Sequence, residues 1–494
     1  MFSISLDAGN LLLLLSVLVF VAVLSNKIGA KFGVPSMLVF LIIGMLAGPD
    51  GMGLEFHNLH LAEFICHLCM TVILLTGGLE TEMHETRPVL RQGALLSTVG
   101  VLLTILFTGG FIYFFVGQSI GGVAVSLTGA LLVAAVLSST DSTAVFSILR
   151  SKRLQLREHL GPMLELESGS NDPMAYASTI ILVDIIKGTD INVFHLPEWA
   201  GGLAIVLVLV YQLAMGFLIG YLVGRFANWL LPRLKLKSSP LMSILVLSLA
   251  FFANGFGSLV GGNGLLALYV AAIIIGNSPK LPEKREVLKF FDGVSWLSQL
   301  LMVLFLGLLA RPSHMAPVLV PAILIGLFLI FVARPAAVFL TLMPFRKLPA
   351  RAKLFVSWVG IKGAGPILFA LYTVVHEVGG SSEIFNIVLV ITLMSLLLQG
   401  MTLPLVAKWL NLSIDEDPEV ETFGLDLPEE MGMMRDHIVA KEDLAMGETL
   451  RDLHLPHGIR VIMVKRGEKF IVPHGSLKLM EDDHLLILMG DTED

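Results

Sequence analysis

Four polar residues, Glu167, Ser168, Asn171 and Asp172, interrupt an apolar segment that covers residues 162–186. Ionisable groups inside such a segment are costly and usually mark an ion or substrate pathway. On a helix, Ser168, Asn171 and Asp172 lie at i, i+3 and i+4, so they share one face. Their hydroxyl, amide and carboxylate oxygens are hard ligands that suit a small cation or a proton. Glu167 points to a different face, and we expect it to have a different partner.

The composition indicates a polytopic membrane protein. Of the 494 residues, 55% are hydrophobic and 15% are charged, whereas soluble proteins carry about 25% charged residues. The two cysteines, Cys66 and Cys69, exclude a disulfide framework, and their spacing with His67 favours helix packing over metal binding. Residues 1–10 lack a basic segment, so the next apolar run predicts a spanning helix and not a signal peptide. The sequence has no His-Glu-x-x-His, P-loop or Gly-x-Gly-x-x-Gly motif, so we do not expect an enzyme.

We place thirteen membrane spans, with soft edges, on the apolar segments, since a helix that crosses a bilayer takes about 20 residues. Basic residues cluster after the odd-numbered segments and are nearly absent after the even-numbered ones, where Lys187 and Arg311 are the exceptions. The positive-inside rule then places the C-terminus in the cytoplasm and the N-terminus outside. The predicted spans are 9–25, 35–48, 62–79, 93–117, 124–149, 162–186, 199–224, 239–255, 263–277, 293–310, 316–344, 354–375 and 384–410.

Two of these spans carry polar or glycine-rich interruptions. Hydroxyl residues at 138–143 surround Asp141 in the fifth span and can satisfy backbone groups freed by a local unwinding. Such a cluster can also serve close helix packing alone, but packing needs no carboxylate. Three glycines and Pro366 within residues 360–366 predict that the twelfth span is broken, with Gly363 at the break. The two spans run in opposite directions, which is typical of an inverted repeat with its site at the midplane.

Two basic residues also lie within predicted spans. Lys362 can neutralise the helix ends that meet at the break, or its side chain can extend to the cytoplasmic interface. Arg334 is the only charge deep within residues 316–344 and needs a carboxylate partner. Glu167 and Asp141 are the candidates. We prefer Glu167, which leaves Asp172 free to titrate.

The chain changes character at Asp415. Residues 1–410 form the predicted membrane domain, residues 411–435 an acidic linker, and residues 436–494 a soluble α+β domain. A domain of about 60 residues is near the lower limit of independent folding, so we expect it to dimerise or dock. Its predicted elements are strands at 437–440, 459–466, 469–473 and 484–489, a hairpin turn at 466–469 and a short helix at 447–453.

Together these residues resemble the NhaP-type branch of the monovalent cation:proton antiporters, and are most similar to its cell-volume-regulation potassium/proton antiporter subgroup. The likeness covers nearly all of residues 1–410, and Glu-Ser-Gly-Ser-Asn-Asp at 167–172 is its most specific part. The chain from about residue 436 is similar to the TrkA-C half of potassium-channel regulatory domains, without the nucleotide-binding half. The other matching stretches are Gly33-Val-Pro35, Gly44-Met-Leu-Ala-Gly-Pro49, Gly77-Gly78-Leu79, Thr140-Asp141, Gly276-Asn277, Arg334-Pro335 and Gly360-Ile-Lys-Gly-Ala-Gly-Pro366.

The resemblance implies an all-α membrane domain of about 13 helices with inverted repeats and two broken, crossing helices. It also implies a bacterial inner-membrane homodimer with a static dimer domain and a moving six-helix core. An Asn-Asp pair, instead of two aspartates, is similar to the electroneutral branch. Lys362 stands where the family more often has arginine, which keeps the charge but not bidentate pairing. The implied ion ligands are Thr140, Asp141, Ser168 and Asp172, with Asn171 shaping the site and Glu167 paired with Arg334.

We therefore expect a secondary transporter that exchanges K⁺ or Na⁺ for H⁺ because Asp172 binds one or the other. The rival prediction is a cation channel gated by the C-terminal domain, but a channel needs repeated oxygen rings, and no filter sequence is present. A non-transporting sensor is a third alternative. Beyond the transported ions, lipids and a second copy, we expect no nucleic-acid partner, no metal and no cofactor. A small-molecule or nucleotide effector at the C-terminal domain stays open.

Overall fold

The apolar segments form helices, because a helix satisfies every backbone N–H and C=O group within one segment. A computed structural model divides the chain into two units, Met1–Ile414 and Asp415–Asp494. Among the described residues, seven helices are long and apolar enough to cross a membrane, judged by length and composition. The structure describes residues 8–31, 34–56, 58–116, 119–120, 123–124, 126–152, 154–189, 201–234, 238–415, 434–439, 449–451, 459–467, 469–481 and 483–489.

Over its described residues, the first unit is helical apart from three short strands and the first residues of a fourth: β1 (Ser119–Ile120), β2 (Val123–Ala124), β3 (Leu154–Leu156) and β4 (Ser413–Asp415). Its helices are α1 (Ala8–Lys31), α2 (Ser36–Ala47), α3 (Leu59–Glu80), α4 (Met83–Thr86), α5 (Leu90–Leu95), α6 (Val101–Phe115), α7 (Leu127–Val136), α8 (Ser142–Ser151), α9 (Leu160–Lys187), α10 (Gly201–Leu230), α11 (Ser239–Leu259), α12 (Gly264–Gly276), α13 (Lys284–Leu308), α14 (Leu319–Phe328), α15 (Arg334–Thr341), α16 (Ala350–Trp358), α17 (Ala364–Val375), α18 (Ser381–Ser395) and α19 (Met401–Trp409).

Several helices begin earlier than apolar length predicts. The helix predicted to begin at residue 93 is continuous from Met83, and the one predicted at 293 begins at Lys284. The added turns contain charged residues, which a criterion based on an apolar stretch leaves out although they continue the same helix. The apolar criterion therefore finds the buried part of a helix and misses its polar end.

In the part of the chain that the structure describes, three π-helical turns of five residues each join consecutive α-helices. They cover Leu96–Gly100, Leu329–Ala333 and Leu396–Gly400. A π turn widens the helix and rotates the residues that follow it, and such turns are frequent at functional sites. The second turn directly precedes Arg334, so it sets the direction in which this side chain leaves its helix.

Close helix contacts in this unit depend on small residues. A Cβ atom added to Gly44 of α2 would lie 2.9 Å from the Cα atom of Gly307 on α13. Contact between two glycines lets the backbones approach closely, and this is a common way to pack helices where no hydrophobic effect drives association. The α2–α13 contact therefore requires glycine at both positions.

The described part of the second unit is an antiparallel sheet in the order β5 (Met434–Ile438), β8 (His484–Met489), β6 (Ile459–Arg466) and β7 (Lys469–Ile471). The predicted strands at 459–466 and 484–489 are confirmed, and the other two are shifted or shortened. A core that includes Val464 and Leu485 lies on one face.

The helix predicted at 447–453 is wrong over the residues described there. Thr449 pairs with Lys478 in a β-bridge, and the next two residues form a turn. Backbone hydrogen bonds to the chain at 475–477 replace the local helical bonds, so tertiary contacts override the local preference. The rest of that predicted helix lies outside the described residues.

One ion pair closes this sheet. Arg466 donates from Nε and Nη2 to both carboxylate oxygens of Asp483, at 2.8 and 2.7 Å, and the Met480 N–H donates to the same carboxylate at 2.8 Å. Burial by itself raises the pKa of Asp483, but the hydrogen bonds from Arg466 and Met480 outweigh it and hold that pKa below its ordinary value. Asp483 therefore stabilises the fold in its ionised form.

We expect Asp483→Asn to destabilise the second unit by about 1–3 kcal/mol at neutral pH, because it weakens a bidentate charged pair. Hydrogen exchange of the β6 and β8 amides in the full chain measures this, with exposed Arg460→Gln as the control. Since the folded-state pKa is lowered, the contribution is complete above the ordinary pKa of 3.8 and is lost as pH falls through the folded value. Equal exchange protection in both variants at pH 7 would contradict this role.

Candidate ion-binding site

The site forms around an unwound segment between α7 and α8. Helix α7 ends at Val136 and α8 begins at Ser142, and residues 139–141 have no regular structure. The Asp141 carboxylate accepts a hydrogen bond from the Ala144 N–H at 3.0 Å, which caps the start of α8. The hydroxyl-rich sequence thus supplies polar groups where a continuous helix would have none.

A second unwound segment crosses the first. Helix α16 ends at Trp358 and α17 begins at Ala364. The two segments meet directly, since the Asp141 N–H donates to the Ile361 carbonyl at 2.9 Å. Both predicted interruptions therefore coincide with breaks, and the breaks lie against each other.

Lys362 bridges this crossing. Its side chain is 2% exposed, its Nζ donates to the Ser139 carbonyl at 2.8 Å, and its N–H donates to the Ser395 hydroxyl at 2.9 Å. The positive charge lies just beyond the C-terminal end of α7, where helix carbonyls lack intrahelical donors. The alternative that Lys362 extends to the interface does not fit this buried contact.

Glycine is required beside the crossing for space. A Cβ atom at Gly363 would overlap the Asp141 carboxylate, and one at Gly365 would lie 3.3 Å from Asp172 Oδ1. Pro366 lies in the first turn of α17, where its missing N–H leaves no intrahelical bond unmade. The glycine-rich segment thus lets a second backbone approach the two aspartates.

The polar face of α9 packs on the first unwound segment. The Ser168 hydroxyl donates to the Thr140 carbonyl at 2.6 Å, and Asn171 Nδ2 donates to the Thr140 hydroxyl at 2.5 Å. The Ser139 hydroxyl donates to Asp172 Oδ1. Each of the three residues predicted to share one face therefore contacts the unwound segment: Ser168 and Asn171 contact Thr140, and Asp172 contacts Ser139. Ser139 was not among the predicted ligands, although its place in the hydroxyl cluster was a usable signal.

Glu167 leaves α9 in another direction and pairs with Arg334. Arg334 Nη2 lies 2.5 Å from Glu167 Oε1, and both residues are buried. Arg334 Nε has no hydrogen-bond partner among the described residues. The pair joins α9 to α15 and leaves the carboxylate of Asp172 without an arginine partner in the described contacts.

A cavity of about 450 Å³ reaches the two aspartates. Four of the predicted ligands line it, whereas Asn171 lies behind Thr140 and the Glu167–Arg334 pair lies outside it. The cavity is also lined by residues that the sequence did not single out as ligands, among them Glu80, Glu165, Tyr269, Asp292, Ser295 and Gln299. The polar spacing along α13 was the signal that could have identified the last three.

Comparison with known proteins identifies the family. Residues 14–409 match the family described as the transmembrane sodium/hydrogen exchanger. The chain belongs to the sodium/hydrogen exchanger family. Residues 434–492 of this exchanger match the TrkA-C domain. The resemblance stated from the motifs is thus confirmed for both parts of the chain.

Similar proteins are transporters by name. The K⁺/H⁺ antiporter NhaP of Alkalimonas amylolytica is 34% identical over 99% of the exchanger and 83% of its own length. NhaP2 of Shewanella baltica, also a K⁺/H⁺ antiporter, is 33% identical over 95% of this chain and 79% of its own length. The Na⁺/H⁺ antiporter NhaH of Halobacillus dabanensis is 25% identical over 81% of this chain and 97% of its own length.

A solved structure has the same fold. The sodium proton antiporter MjNhaP1 from Methanocaldococcus jannaschii, determined at pH 8, superposes with a TM-score of 0.64 at 20% identity. The match covers 81% of the exchanger and 100% of that chain. At this identity the comparison supports the fold alone.

The buried pair generates a stability prediction. We expect Glu167→Ala and Arg334→Ala each to destabilise the protein by about 3–5 kcal/mol, because each leaves an unpaired buried charge. The double variant should lose less than the sum, since it removes both charges. Thermal unfolding of the purified protein measures this, with Asp172→Asn as the control that should unfold near the parent. If both single variants melt like the parent, the pair does not stabilise the fold.

Proposed function

We propose that this exchanger is a secondary antiporter that exchanges K⁺ or Na⁺ for H⁺, with Asp172 as the carboxylate that carries either ion. The observation that carries the proposal is a buried aspartate at the end of an open cavity, beside two crossing helix breaks. The names of the relatives support the same activity, and the two K⁺/H⁺ antiporters have the higher identities. The channel alternative finds no support among the relatives named above.

Competition for one carboxylate explains obligate exchange. A cation bound at ionised Asp172 and a proton bound at the same group leave the site with the same net charge. The charges of Lys362 and of the Glu167–Arg334 pair need not change between the two states. One-for-one exchange is then electroneutral, and alternating access to Asp172 from the two sides moves the ions in opposite directions.

The residue roles in this proposal follow from the contacts around Asp172. Asp172, Asp141, Thr140 and Ser168 supply cavity oxygens, and Asn171 positions Thr140. Glu167 and Arg334 are a structural pair. Lys362 holds the crossing, Gly363 leaves room for it, and Pro366 lies in the first turn of the helix that follows it.

The finer architecture is also part of the proposal. We propose thirteen spans with inverted repeats in a bacterial inner membrane, with the N-terminus outside and a homodimer of moving cores. The alternation of basic loops supports the orientation, and the two breaks support the repeats. We further propose residues 1–410 as the exchange domain, 411–435 as a linker, and 436–494 as a cytoplasmic regulatory domain that binds a small-molecule or nucleotide effector. Cell-volume regulation is the corresponding cellular role.

Asp172→Asn should abolish exchange, because the amide keeps the shape of the carboxylate but cannot bind a proton reversibly. Dequenching of a pH dye in everted vesicles, with K⁺, Na⁺ and Li⁺ added in turn, measures it and ranks the cations. Asp184→Asn, on the same helix but away from the lining of the cavity, is the matched control and should keep exchange. Proton-coupled flux in folded Asp172→Asn protein would reject the assignment.

A chain that ends near residue 417 should still insert and exchange ions, because every proposed ligand precedes it. We expect its pH or effector dependence to change, since the proposed regulatory domain is removed. The test compares pH profiles and oligomeric state of the full and shortened chains. Loss of the dimer with an unchanged profile would assign the domain to dimer stability. Loss of transport in a folded dimer would make it part of the transport machinery.

A further inference from the structure

One face of α13 forms a wall of the cavity that reaches Asp172. The residues that line it are spaced three or four apart along one helical face. Of these, Asp292 and Trp296 are exposed, whereas Ser295, Gln299 and Met302 are buried, so the polar side chains of Asp292, Ser295 and Gln299 extend from the exposed start of this face to its buried part. The lining residues of this helix are Asp292, Ser295, Trp296, Gln299 and Met302.

Gln299 is the feature of this wall that needs an explanation. The residue is 5% exposed and lines the cavity, and its side-chain amide has no hydrogen-bond partner among the described residues. Buried amides are normally paired, as Asn171 is with Thr140 and Gln399 with the Trp358 carbonyl at 2.8 Å. The Gln299 amide lines a cavity that also contains Asp172. The Gln299 amide is therefore open to whatever occupies the cavity, whether water or an ion.

The charges in the cavity favour a cation as that occupant. Two buried or half-buried carboxylates, Asp141 and Asp172, line the same space. The Ser139 hydroxyl already donates to Asp172, and the Thr140 carbonyl already accepts from Ser168. The side-chain carbonyl oxygen of Gln299, in contrast, accepts no hydrogen bond from a described residue. An amide oxygen is a hard, neutral ligand of the kind that replaces hydration water around an alkali cation.

We propose that the side-chain carbonyl of Gln299 is a ligand of the transported cation and contributes to the discrimination between K⁺ and Na⁺. This rests on the proposed exchange function and adds a ligand from α13 to those on α9 and the α7–α8 segment. The number and field strength of carbonyl oxygens are determinants of K⁺ over Na⁺ selectivity. Removing this oxygen should therefore weaken K⁺ binding more than Na⁺ binding.

The test is Gln299→Met, which keeps the length and helix preference of the side chain but removes the amide oxygen. In everted vesicles at fixed pH we expect the half-saturating K⁺ concentration to rise at least fivefold, the Na⁺ value to rise less, and the maximal rate to stay within twofold. Gln299→Asn, which retains a carbonyl, should recover part of the K⁺ affinity. Ser298→Ala, which is buried on α13 but does not line the cavity, should leave both values unchanged.

A binding readout separates this inference from the exchange function. K⁺ should raise the melting temperature of the purified full chain, because a ligand of the folded state stabilises it, and Gln299→Met should shift this dependence to higher K⁺. If the parent binds K⁺ but does not exchange it for protons, the exchange function fails and the Gln299 assignment is still tested. Unchanged half-saturation and unchanged K⁺ stabilisation in Gln299→Met would overturn the assignment. So would a fall in maximal rate alone, which indicates a structural role.

Discussion

The site depends on finding hydrogen-bond partners for backbone N–H and C=O groups in a region where water is scarce. Unwinding two helices inside an apolar unit frees N–H and C=O groups, and each such group left unpaired costs several kcal/mol. The exchanger meets this constraint by crossing the two breaks, so that Asp141 donates to Ile361 and Lys362 donates to Ser139. Each break thus supplies a hydrogen-bond partner for a backbone group that the other break leaves without an intrahelical one. The crossing also explains why Gly363 must lack a side chain beside Asp141.

The two buried carboxylates of α9 have different roles, one in the structure and one in the proposed exchange. Glu167 and Asp172 lie five residues apart on α9 but meet different surroundings. Glu167 is neutralised by Arg334, which emerges directly after a π turn. Asp172 instead accepts a hydrogen bond from the Ser139 hydroxyl and lines a cavity. A carboxylate tied to arginine suits a fixed structural role, whereas one held by a weaker hydroxyl bond can exchange one cation for another.

The two units pair their buried polar groups in different ways. The membrane unit buries polar groups for function and satisfies them by contacts between helices distant in sequence. The described part of the second unit is a small antiparallel sheet, in which the buried carboxylate of Asp483 accepts hydrogen bonds from Arg466 and from the Met480 N–H. Its described core, which includes Val464 and Leu485, is small, so we expect the charged pair to matter more to its stability than it would in a larger domain.

The sequence by itself determined the features that repeat along one element. Apolar runs indicated the helices, glycines and hydroxyl clusters indicated the breaks, and the spacing of Ser168, Asn171 and Asp172 indicated a shared face, because helix geometry converts spacing into direction. It left Arg334 with two candidate partners and gave no ligand on α13. Only the tertiary structure decided the partner of Arg334 and brought Gln299 of α13 to the wall of the cavity, since contacts between helices depend on how they cross and rotate. The turn at 449–451, predicted as helix, was decided in the same way by backbone pairing with a distant segment.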